Sequence, residues 1–292
     1  MPIAAEDILV LATRRSPLAR RQAEMARAAL AALPNAPWKK VQLLELTTTG
    51  DKQRDWVLSA QGGKGLFTRE LEEALLEGRA QLAVHSAKDL PTTLPVGLDF
   101  AGFLPRADPR DVLVRRAEVK TPKRIATGSP RRREQSRAWW PEVEWTELRG
   151  NVDTRLKKIA QGEADATFLA AAGLERLGIT SWDGLVFEPQ PVERMVPAAG
   201  QGAIALECRA ADAGKFTGAM CLATARAVLI ERAVLGALGG GCHAASAAHV
   251  AGDTLRVFHA PKGRANFTIK EKAAAKAIAA AVADVQRWLS AG

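Results

Sequence analysis

Residues 62–92 read GGKGLFTRELEEALLEGRAQLAVHSAKDLPT, and the rest of the chain is organised around this stretch. Apolar residues at helical spacing predict a helix over residues 68–77, with Gly78 at the left-handed position that commonly ends a helix. A short apolar run at residues 82–84 then predicts a strand, which Pro91 helps to terminate. The stretch therefore predicts the alternation of helix and strand that is typical of an α/β protein.

Polar residues follow this strand directly, in the order His85, Ser86, Lys88 and Asp89. Ligands of open α/β sheets bind at the carboxyl ends of the strands, so Lys88 and Asp89 are candidate catalytic residues on position as well as chemistry. A surface turn with a solvated ion pair is the plainer interpretation of a Lys-Asp pair considered alone.

The length and composition indicate a globular protein with more than one domain. A chain of 292 residues exceeds what one hydrophobic core usually organises, so two or three domains are expected. The content of 47% hydrophobic and 25% charged residues is ordinary for a soluble protein. Long uninterrupted apolar runs and a secretory signal pattern are both missing from the sequence, which predicts a cytoplasmic protein that does not contact a membrane.

The cysteines and the net charge exclude some functions and leave others open. Cys208, Cys221 and Cys242 form no CxxC pair, which argues against a disulfide framework and against a metal site. A net charge of +9 suggests nucleic acid as a partner, but 32 acidic residues are interspersed with the basic ones and no nucleic-acid fold signature occurs. We expect no nucleic-acid partner, because arginines that converge on a small anionic substrate explain the charge equally well.

The N-terminal region predicts an anion site at the start of a helix. Residues 8–12 are an apolar strand, and Ser16 followed by Pro17 is a typical helix start, with serine as the N-cap and proline at the first helical position. Arg14 and Arg15 lie beside this helix start, where backbone N–H groups and the helix dipole favour negative charge.

The same order of parts returns later in the chain. Residues 125–132 (IATGSPRR) echo residues 11–17 (LATRRSP), and two further pairs of segments match in the same order, residues 147–150 with 45–48 and residues 159–166 with 75–82. This repetition predicts two similar α/β lobes that offer their strand ends to a shared cleft. Chance similarity among common α/β patterns is the alternative.

Composition changes mark the predicted domain boundaries. Proline and charge replace apolar periodicity at residues 105–111, and residues 196–206 form a glycine-punctuated apolar strand that we expect to cross back to the first lobe. A third unit follows, with a first helix, two short strands and an alanine-rich helix over residues 271–289. The predicted domains are a first α/β lobe of residues 1–104 and 198–215, a second α/β lobe of residues 105–197, and a C-terminal α+β domain of residues 216–292.

Nine segments in this order closely resemble the porphobilinogen deaminase family: ATRRSPLARRQ, GGKGLFTRELEEALL, AVHSAKDLPT, ADPRDVLV, ATGSPRRR, LRGNVDTRL, AAAGLERLG, PAAGQGAIALE and ERAVLGALGGGC. The resemblance covers about residues 8–243. It implies three domains, the first two like type II periplasmic binding proteins around a cleft, followed by a small α+β domain.

The resemblance also implies an activity. Family members are transferases of tetrapyrrole, porphyrin and haem biosynthesis. They join four porphobilinogen molecules head to tail with release of ammonia, on a dipyrromethane cofactor. A thioether holds this cofactor to a cysteine in a Gly-Gly-Cys loop, which corresponds here to Cys242. Asp89 corresponds to the carboxylate that bonds pyrrole N–H groups, and a fixed carboxylate would stabilise the electron-poor azafulvene left by the loss of ammonia.

Further residues are assigned by the same resemblance to the carboxylates of the pyrrole rings. Those implied to hold the acetate and propionate groups of the cofactor are Lys88, Thr127, Ser129, Arg131 and Arg132. Those implied to bind the incoming rings are Arg14, Ser16, Lys64, Arg149, Arg155 and Arg176. We expect a monomer whose partner is the small molecule porphobilinogen.

Two departures from the family pattern and one competing function stay open. Cys242 is followed by His243 and Ala244 rather than by proline and glycine, and Ala60 stands where a lysine is common in a loop that could act as a lid. A two-lobe protein that binds an anionic ligand without catalysis would explain the lobes and the arginines. It would not explain the Gly-Gly-Gly-Cys242 segment.

Overall fold

The computed structural model describes residues 8–34, 36–52, 66–239 and 245–291. The strands are β1 (Ile8–Arg14), β2 (Lys40–Leu46), β3 (Leu82–Ser86), β4 (Leu98–Phe103), β5 (Asp111–Arg116), β6 (Arg124–Ala126), β7 (Glu144–Thr146), β8 (Ala166–Ala170), β9 (Leu185–Pro189), β10 (Ile204–Arg209), β11 (Ser246–Ala251), β12 (Thr254–His259) and β13 (Gly263–Thr268). The α-helices are α1 (Pro17–Ala31), α2 (Thr49–Lys52), α3 (Arg69–Leu76), α4 (Pro130–Ser136), α5 (Val152–Ala160), α6 (Ala171–Arg176), α7 (Leu222–Ala237) and α8 (Ala274–Ser290).

The chain divides into two compact units. Unit 1 contains residues 1–106 and 203–225, and unit 2 contains residues 107–202 and 226–292. Short 3-10 turns at Ala87–Asp89, Arg137–Trp139 and Ala210–Ala219 complete the regular structure of the described residues. None of the helices that the structure describes is long and apolar enough to cross a membrane.

A five-stranded sheet in the order β2-β1-β3-β10-β4 forms the centre of unit 1. Strands β1, β2 and β3 are parallel, and β10 runs antiparallel to both of its neighbours. Alternate residues of the strands face opposite sides, so α1 packs on one face through Leu30 against Leu11 and Leu82, and α3 packs on the other through Leu71 against Ala83. Both faces of the sheet are therefore buried.

The sheet of unit 2 repeats this order with different strands, as β7-β6-β8-β5-β9. Strands β6, β7 and β8 are parallel, and β5 is the antiparallel member next to β8, just as β10 lies next to β3. Helix caps repeat as well, because Gly78 and Gly162 follow α3 and α5 with φ of 75° and 81°. The predicted duplication and the α/β fold class are confirmed.

The chain returns to the first sheet as the sequence predicts, but the strand is shorter than expected. Residues 196–203 precede β10 without joining it, because Gly200 and Gly202 have φ values of 73° and 87° that interrupt an extended backbone. Leu104 N–H donates to the Ile204 carbonyl in unit 1, and Ala107 N–H donates to the Gly202 carbonyl in unit 2.

Unit 2 also contains a small antiparallel sheet in the order β11-β12-β13. Helices α7 and α8 cover it through Ile230, Val234, Ala281 and Val285. The α+β character of the C-terminal region is thus confirmed, although the sequence predicted two strands and the structure has a third, β13. Strand β13 reads GRANFT, which carries too few apolar residues to be recognised by periodicity. The exact domain boundaries given above stay a prediction.

Candidate active site

The end of β3 presents Lys88 and Asp89 from a single 3-10 turn. Strand β3 stops at Ser86, and the turn at Ala87–Asp89 is held by an Ala87 N–H that donates to the Ala203 carbonyl at 3.1 Å. Lys88 is half-buried and Asp89 is exposed. The prediction that both residues lie at a strand's carboxyl end is confirmed in position, and their catalytic role stays a prediction.

A cavity of about 60 Å³ lies beside this turn, entirely within unit 1. Its lining brings together residues from β1, the start of α1, the segment just before α3, β3 and the 3-10 turn, which are far apart in sequence. The polar ones are Arg14, Ser16, Gln22, Thr68, His85, Ser86 and Asp89. Three of the predicted site residues, Arg14, Ser16 and Asp89, therefore line one cavity.

Arg14 is held in a defined orientation at the end of β1. Its guanidinium group contacts Asp51 at 2.5 Å and stacks over the ring of Phe67, whose centre is 4.2 Å away. Although burial alone would raise the pKa of Asp51, hydrogen bonds from Arg14 and Thr48 hold it below its ordinary value. Asp51 therefore stays ionised and keeps Arg14 in place.

The start of α1 forms the opposite part of the cavity lining. Ser16 is the N-cap, and its hydroxyl oxygen accepts from Ala19 N–H at 3.3 Å. The amide of Gln22, one turn further on, exchanges hydrogen bonds with the Ser86 hydroxyl at 2.9 and 3.1 Å. This contact joins α1 to the end of β3 and so fixes the position of the helix N-terminus relative to the Lys88–Asp89 turn.

A buried trio of ionisable side chains, His85, Glu207 and Glu72, lies beneath the same strand end. His85 Nε2 is 2.9 Å from Glu207 Oε2, with side-chain exposures of 4% and 0%. Neither atom makes an aligned hydrogen bond with any residue that the structure describes, and Glu72 Oε1 also lacks one there. A buried polar atom left without a hydrogen bond costs about 1–3 kcal/mol, so the trio calls for an explanation.

Sequence reasoning missed this trio. The sequence indicates His85 only as one of several polar residues that follow a strand, and Glu207 lies within the apolar segment AIALEC. A charged residue in an apolar strand was the available signal. The pairing itself depends on the register of β10 against β3, in which Ala205 lies opposite His85 and Glu207 opposite Ala83.

In unit 2 the repeated helix start carries two buried arginines. Ser129 caps α4 by accepting from Arg132 N–H at 3.4 Å, and the hydroxyl of the buried Thr127 accepts from Ser129 N–H at 3.2 Å. Arg131 and Arg132 both donate to the carboxylate of Asp111, which is fully buried, at 2.8 Å. Arg131 and Arg132 are thus held at the start of α4 by one shared carboxylate.

The three other arginines assigned from the sequence also lie in unit 2, in different surroundings. Arg149 is 3.2 Å from Glu147, and Arg155 donates from Nε to the Gly150 carbonyl at 2.8 Å. Arg176 is buried and donates to the Gly202 carbonyl at 2.6 Å, while its Nε has no hydrogen-bond partner among the described residues. Burial lowers the pKa of Arg176. Arg176 is therefore not an exposed helix arginine.

Two predicted site residues, Lys64 and Cys242, lie outside the described residues, and so does Ala60. Cys208 and Cys221 lie among the described residues, and both are free thiols. Burial, and to a lesser extent nearby carboxylates, raises the pKa of Cys208 to about 12. Hydrogen bonds from Thr224 lower the pKa of the partly exposed Cys221. The part of the chain that the structure describes contains no group of three or more histidine, cysteine, aspartate or glutamate side chains placed to hold a metal ion.

Comparisons with known proteins agree on one family. Residues 9–216 match the family described as "Porphobilinogen deaminase, dipyromethane cofactor binding domain". The porphobilinogen deaminase of Sphingopyxis alaskensis is 46% identical over 255 residues, which cover 84% of this chain and 80% of that protein. Those of Chromobacterium violaceum and Syntrophus aciditrophicus are 46% and 43% identical, covering 81% and 85% of this chain and 77% and 82% of theirs.

Solved structures with much lower sequence identity resemble part of the chain. The periplasmic VFT2 domain of Bordetella pertussis BvgS has a TM-score of 0.44 at 14% identity, with 73% of this chain and 85% of that chain covered. An ABC transporter from Parabacteroides distasonis has a TM-score of 0.45 at 13% identity, with 73% of this chain and 71% of that chain covered.

Proposed function

The chain belongs to the porphobilinogen deaminase family, and from this premise we propose that the turn carrying Lys88 and Asp89, together with the cavity beside it, is the place of its reaction. The protein is a transferase with hydroxymethylbilane synthase activity, which joins four porphobilinogen molecules head to tail with release of ammonia. Its cofactor is dipyrromethane.

The observation that carries the proposal is the placement of Asp89. Its carboxylate is exposed at a strand end, next to a cavity that Arg14 and Ser16 also line. The carbon from which ammonia departs becomes electron-poor, and a carboxylate held beside it stabilises the developing positive charge. Asp89 also suits the pyrrole N–H groups, because an ionised carboxylate only accepts hydrogen bonds. We assign Lys88, next to it, to the same site.

Arg14 and Ser16 are proposed to bind the carboxylates of incoming rings in unit 1. Asp51 and Phe67 hold the guanidinium group of Arg14, so little side-chain freedom remains to be lost when a carboxylate binds. Ser16 adds the N-terminus of the 15-residue helix α1, whose dipole favours negative charge. Lys64 is assigned to the same task by the resemblance.

The residues of unit 2 fit an anionic cofactor and an anionic growing chain. Arg176 is buried, has lost solvation and makes one hydrogen bond to a carbonyl, so a carboxylate would satisfy the unpartnered Nε and stabilise the charge. We propose that Arg149, Arg155 and Arg176 bind substrate carboxylates. Arg131 and Arg132, held by Asp111, are proposed to bind the acetate and propionate groups of the cofactor with Thr127 and Ser129.

Cys242 is proposed to hold dipyrromethane through a thioether. The bound cofactor supplies the pyrrole carbon on which the chain is extended, and attachment keeps that carbon at the site through every cycle. Cys208 is unsuited to the attachment, because its thiol is buried and its pKa is about 12. Cys221 is the other described thiol, and its partial exposure makes it the proper control.

One experiment tests the proposal for the reaction site. Purified protein is incubated with porphobilinogen, and formation of hydroxymethylbilane is followed for the wild type and for Asp89→Ala. We expect product from the wild type and at least a 100-fold loss in the variant, since one preorganised electrostatic group contributes about 10²–10³-fold. A variant with normal turnover would remove Asp89 from the site.

We also propose from the sequence that the protein is a monomer and that it is cytoplasmic. Light scattering on the purified protein tests whether it is a monomer.

A further inference from the structure

The buried trio of His85, Glu207 and Glu72 lies where the proposed reaction takes place. His85 lines the same cavity as Asp89, and Glu207 stands behind it on β10 with its carboxylate oxygen 2.9 Å from His85 Nε2. Glu72, on α3, is the third member. Burial, and after it the negative charge of Glu207, raises the pKa of Glu72.

The condensation requires a base. Each joining of two porphobilinogen rings breaks the C–N bond of one aminomethyl group and one ring C–H bond, and it forms one C–C bond. The electron pair of the C–N bond leaves with ammonia, and the electron pair of the C–H bond returns to the ring. One proton is released from the ring carbon in each cycle, with no change in oxidation state.

Asp89 is poorly suited to keep that proton. A carboxylate that stabilises an electron-poor carbon does so through its negative charge, and protonation would remove the charge. His85 is the histidine among the residues that line the cavity, and imidazole is the side chain most often used for proton transfer near neutral pH. The negative charge of Glu207 favours a proton on the nearer nitrogen, Nε2, which leaves Nδ1 to accept.

We propose that His85 is the base that takes the proton from the ring carbon, and that Glu207 is a positioning residue that orients its imidazole and stabilises the imidazolium formed. The proposal rests on the proposed function, because it needs the reaction to occur beside Asp89. A buried carboxylate behind a histidine has this combination of roles in hydrolases with a Ser-His-Asp triad. Ammonia or solvent takes the proton from His85 before the next ring arrives.

Charged side chains lie near His85 on each of the elements that are packed around it. Glu72 faces it from α3 and Glu207 from β10, while Arg14 and Asp89 line the same cavity from β1 and the 3-10 turn. Arg14 is paired with Asp51, which offsets part of its repulsion of an imidazolium.

The first test compares His85→Asn and Glu207→Gln with the wild type. Loss of a general base lowers kcat by about 100-fold or more, so we expect His85→Asn to lose at least that and KM to change little. Glu207→Gln keeps the shape of the side chain and removes its charge, and we expect this variant to have a lower kcat as well. The double variant should be no slower than His85→Asn, because both residues act through one imidazole.

Two measurements separate catalysis from a merely structural role. Porphobilinogen deuterated at its free ring carbon should give a larger isotope effect on kcat in His85→Asn than in the wild type, because proton removal becomes slower. The ¹⁵N NMR signals of the His85 ring, assigned by their loss in His85→Asn, should show the proton on Nε2 in the wild type and a changed distribution in Glu207→Gln. The NMR measurement needs no turnover.

Glu231→Gln is the control for a purely structural role. Glu231 forms a second buried pair, with its carboxylate 3.3 Å from His249 Nδ1, in unit 2. Because Glu231 also accepts from Gly200 N–H and Val250 N–H, Glu231→Gln should lower the melting temperature, and the isotope effect should stay at the wild-type value. A His85→Asn variant with wild-type kcat, or with reduced kcat and an unchanged isotope effect, would overturn the inference. A wild-type protein that makes no hydroxymethylbilane would instead overturn the proposed function.

Discussion

Asp89 shows at the scale of one residue how exposure separates function from stability. Its side chain is exposed at the end of a buried strand, so it contributes little to the hydrophobic core. We expect Asp89→Ala to keep the melting temperature of the wild type while turnover is nearly abolished. Asp89→Glu keeps the charge but moves it by one methylene group, and a misplacement near 1 Å costs on the order of 100-fold in rate.

Rates of product formation and melting curves on the same preparations measure this prediction. A large fall in the melting temperature of Asp89→Ala would mean that the residue supports the fold. Near-wild-type turnover of Asp89→Glu would mean that its position is not critical.

Glu72 is the opposite case, a buried carboxyl group whose charge is unfavourable in the folded protein. Its pKa is raised above 4.5 by burial and by the charge of Glu207. A raised pKa means that the folded state binds a proton more tightly than the unfolded state, so stability is lost as pH rises through the folded pKa. We expect Glu72→Gln to be more stable than the wild type near neutral pH, with the gain disappearing as pH falls towards 4.5.

Melting temperatures measured across this pH range test the prediction. Glu73→Gln is the control, because Glu73 lies next to Glu72 on α3 but its side chain is 45% exposed and pairs with Arg69. The charge of Glu73 is the smallest of the causes that raise the pKa of Glu72, so we expect a smaller gain from Glu73→Gln. The same gain in both variants would mean a general effect of net charge and not the burial of Glu72.

At the scale of elements, the loop before α5 and the helix itself present two of the proposed substrate arginines. Arg149 is close to Glu147, and Arg155 is held by the Gly150 carbonyl in the first turn. We expect Arg149→Leu and Arg155→Leu to block chain elongation, because each removes a guanidinium group that we propose binds a substrate carboxylate. The corresponding lysine variants should be milder but slower than the wild type, since an ammonium group cannot bind a carboxylate in the same two-pronged way.

Intact mass after a limited supply of porphobilinogen measures how far the covalent chain has grown in each variant. Arg137→Leu is the control, because Arg137 is an exposed arginine paired with Glu134 on the neighbouring turn. If Arg149→Leu and Arg155→Leu both pass through every intermediate at the rate of Arg137→Leu, then these two arginines are not substrate ligands.

Local patterns predicted many of the elements, and long-range pairing explains what they missed. The stretch at residues 62–92 predicts α3 and β3 to within a few residues, because helical spacing, Gly78 and the apolar run all act locally. The Ser16 and Ser129 caps are predicted for the same reason. The contact of His85 with Glu207 joins residues more than a hundred positions apart, and it follows only from the register of β3 and β10.

The start of α4 illustrates the same limit. The family resemblance assigned Arg131 and Arg132 as carboxylate ligands, but no pattern in the sequence indicates that Asp111 is buried and accepts from both of them. Asp111 begins β5, a strand that enters the sheet antiparallel to β8 and carries no local signal of a partner on α4. Each arginine could be proposed from the sequence, but the carboxylate that they share is recognised only in the folded structure.

For the whole molecule, we propose that the protein, built on the frame of two similar α/β sheets, keeps its growing product covalently attached until the last ring is added. A protein that only binds an anion has no need of a covalent pyrrole. An enzyme that adds four rings in succession must hold the chain end through each cycle. The distinction between these two functions therefore lies in Cys242 and not in the arginines, which both functions would use.

Intact mass spectrometry of protein purified from a host that makes porphobilinogen tests this claim most directly. We predict a single adduct of two pyrrole units on the wild type, lost in Cys242→Ser and kept in Cys208→Ser and Cys221→Ser. Cys221 is the demanding control, because its thiol is partly exposed and its pKa is lowered, so general reactivity would select it. A wild-type mass without an adduct, unchanged after incubation with porphobilinogen, would contradict the account.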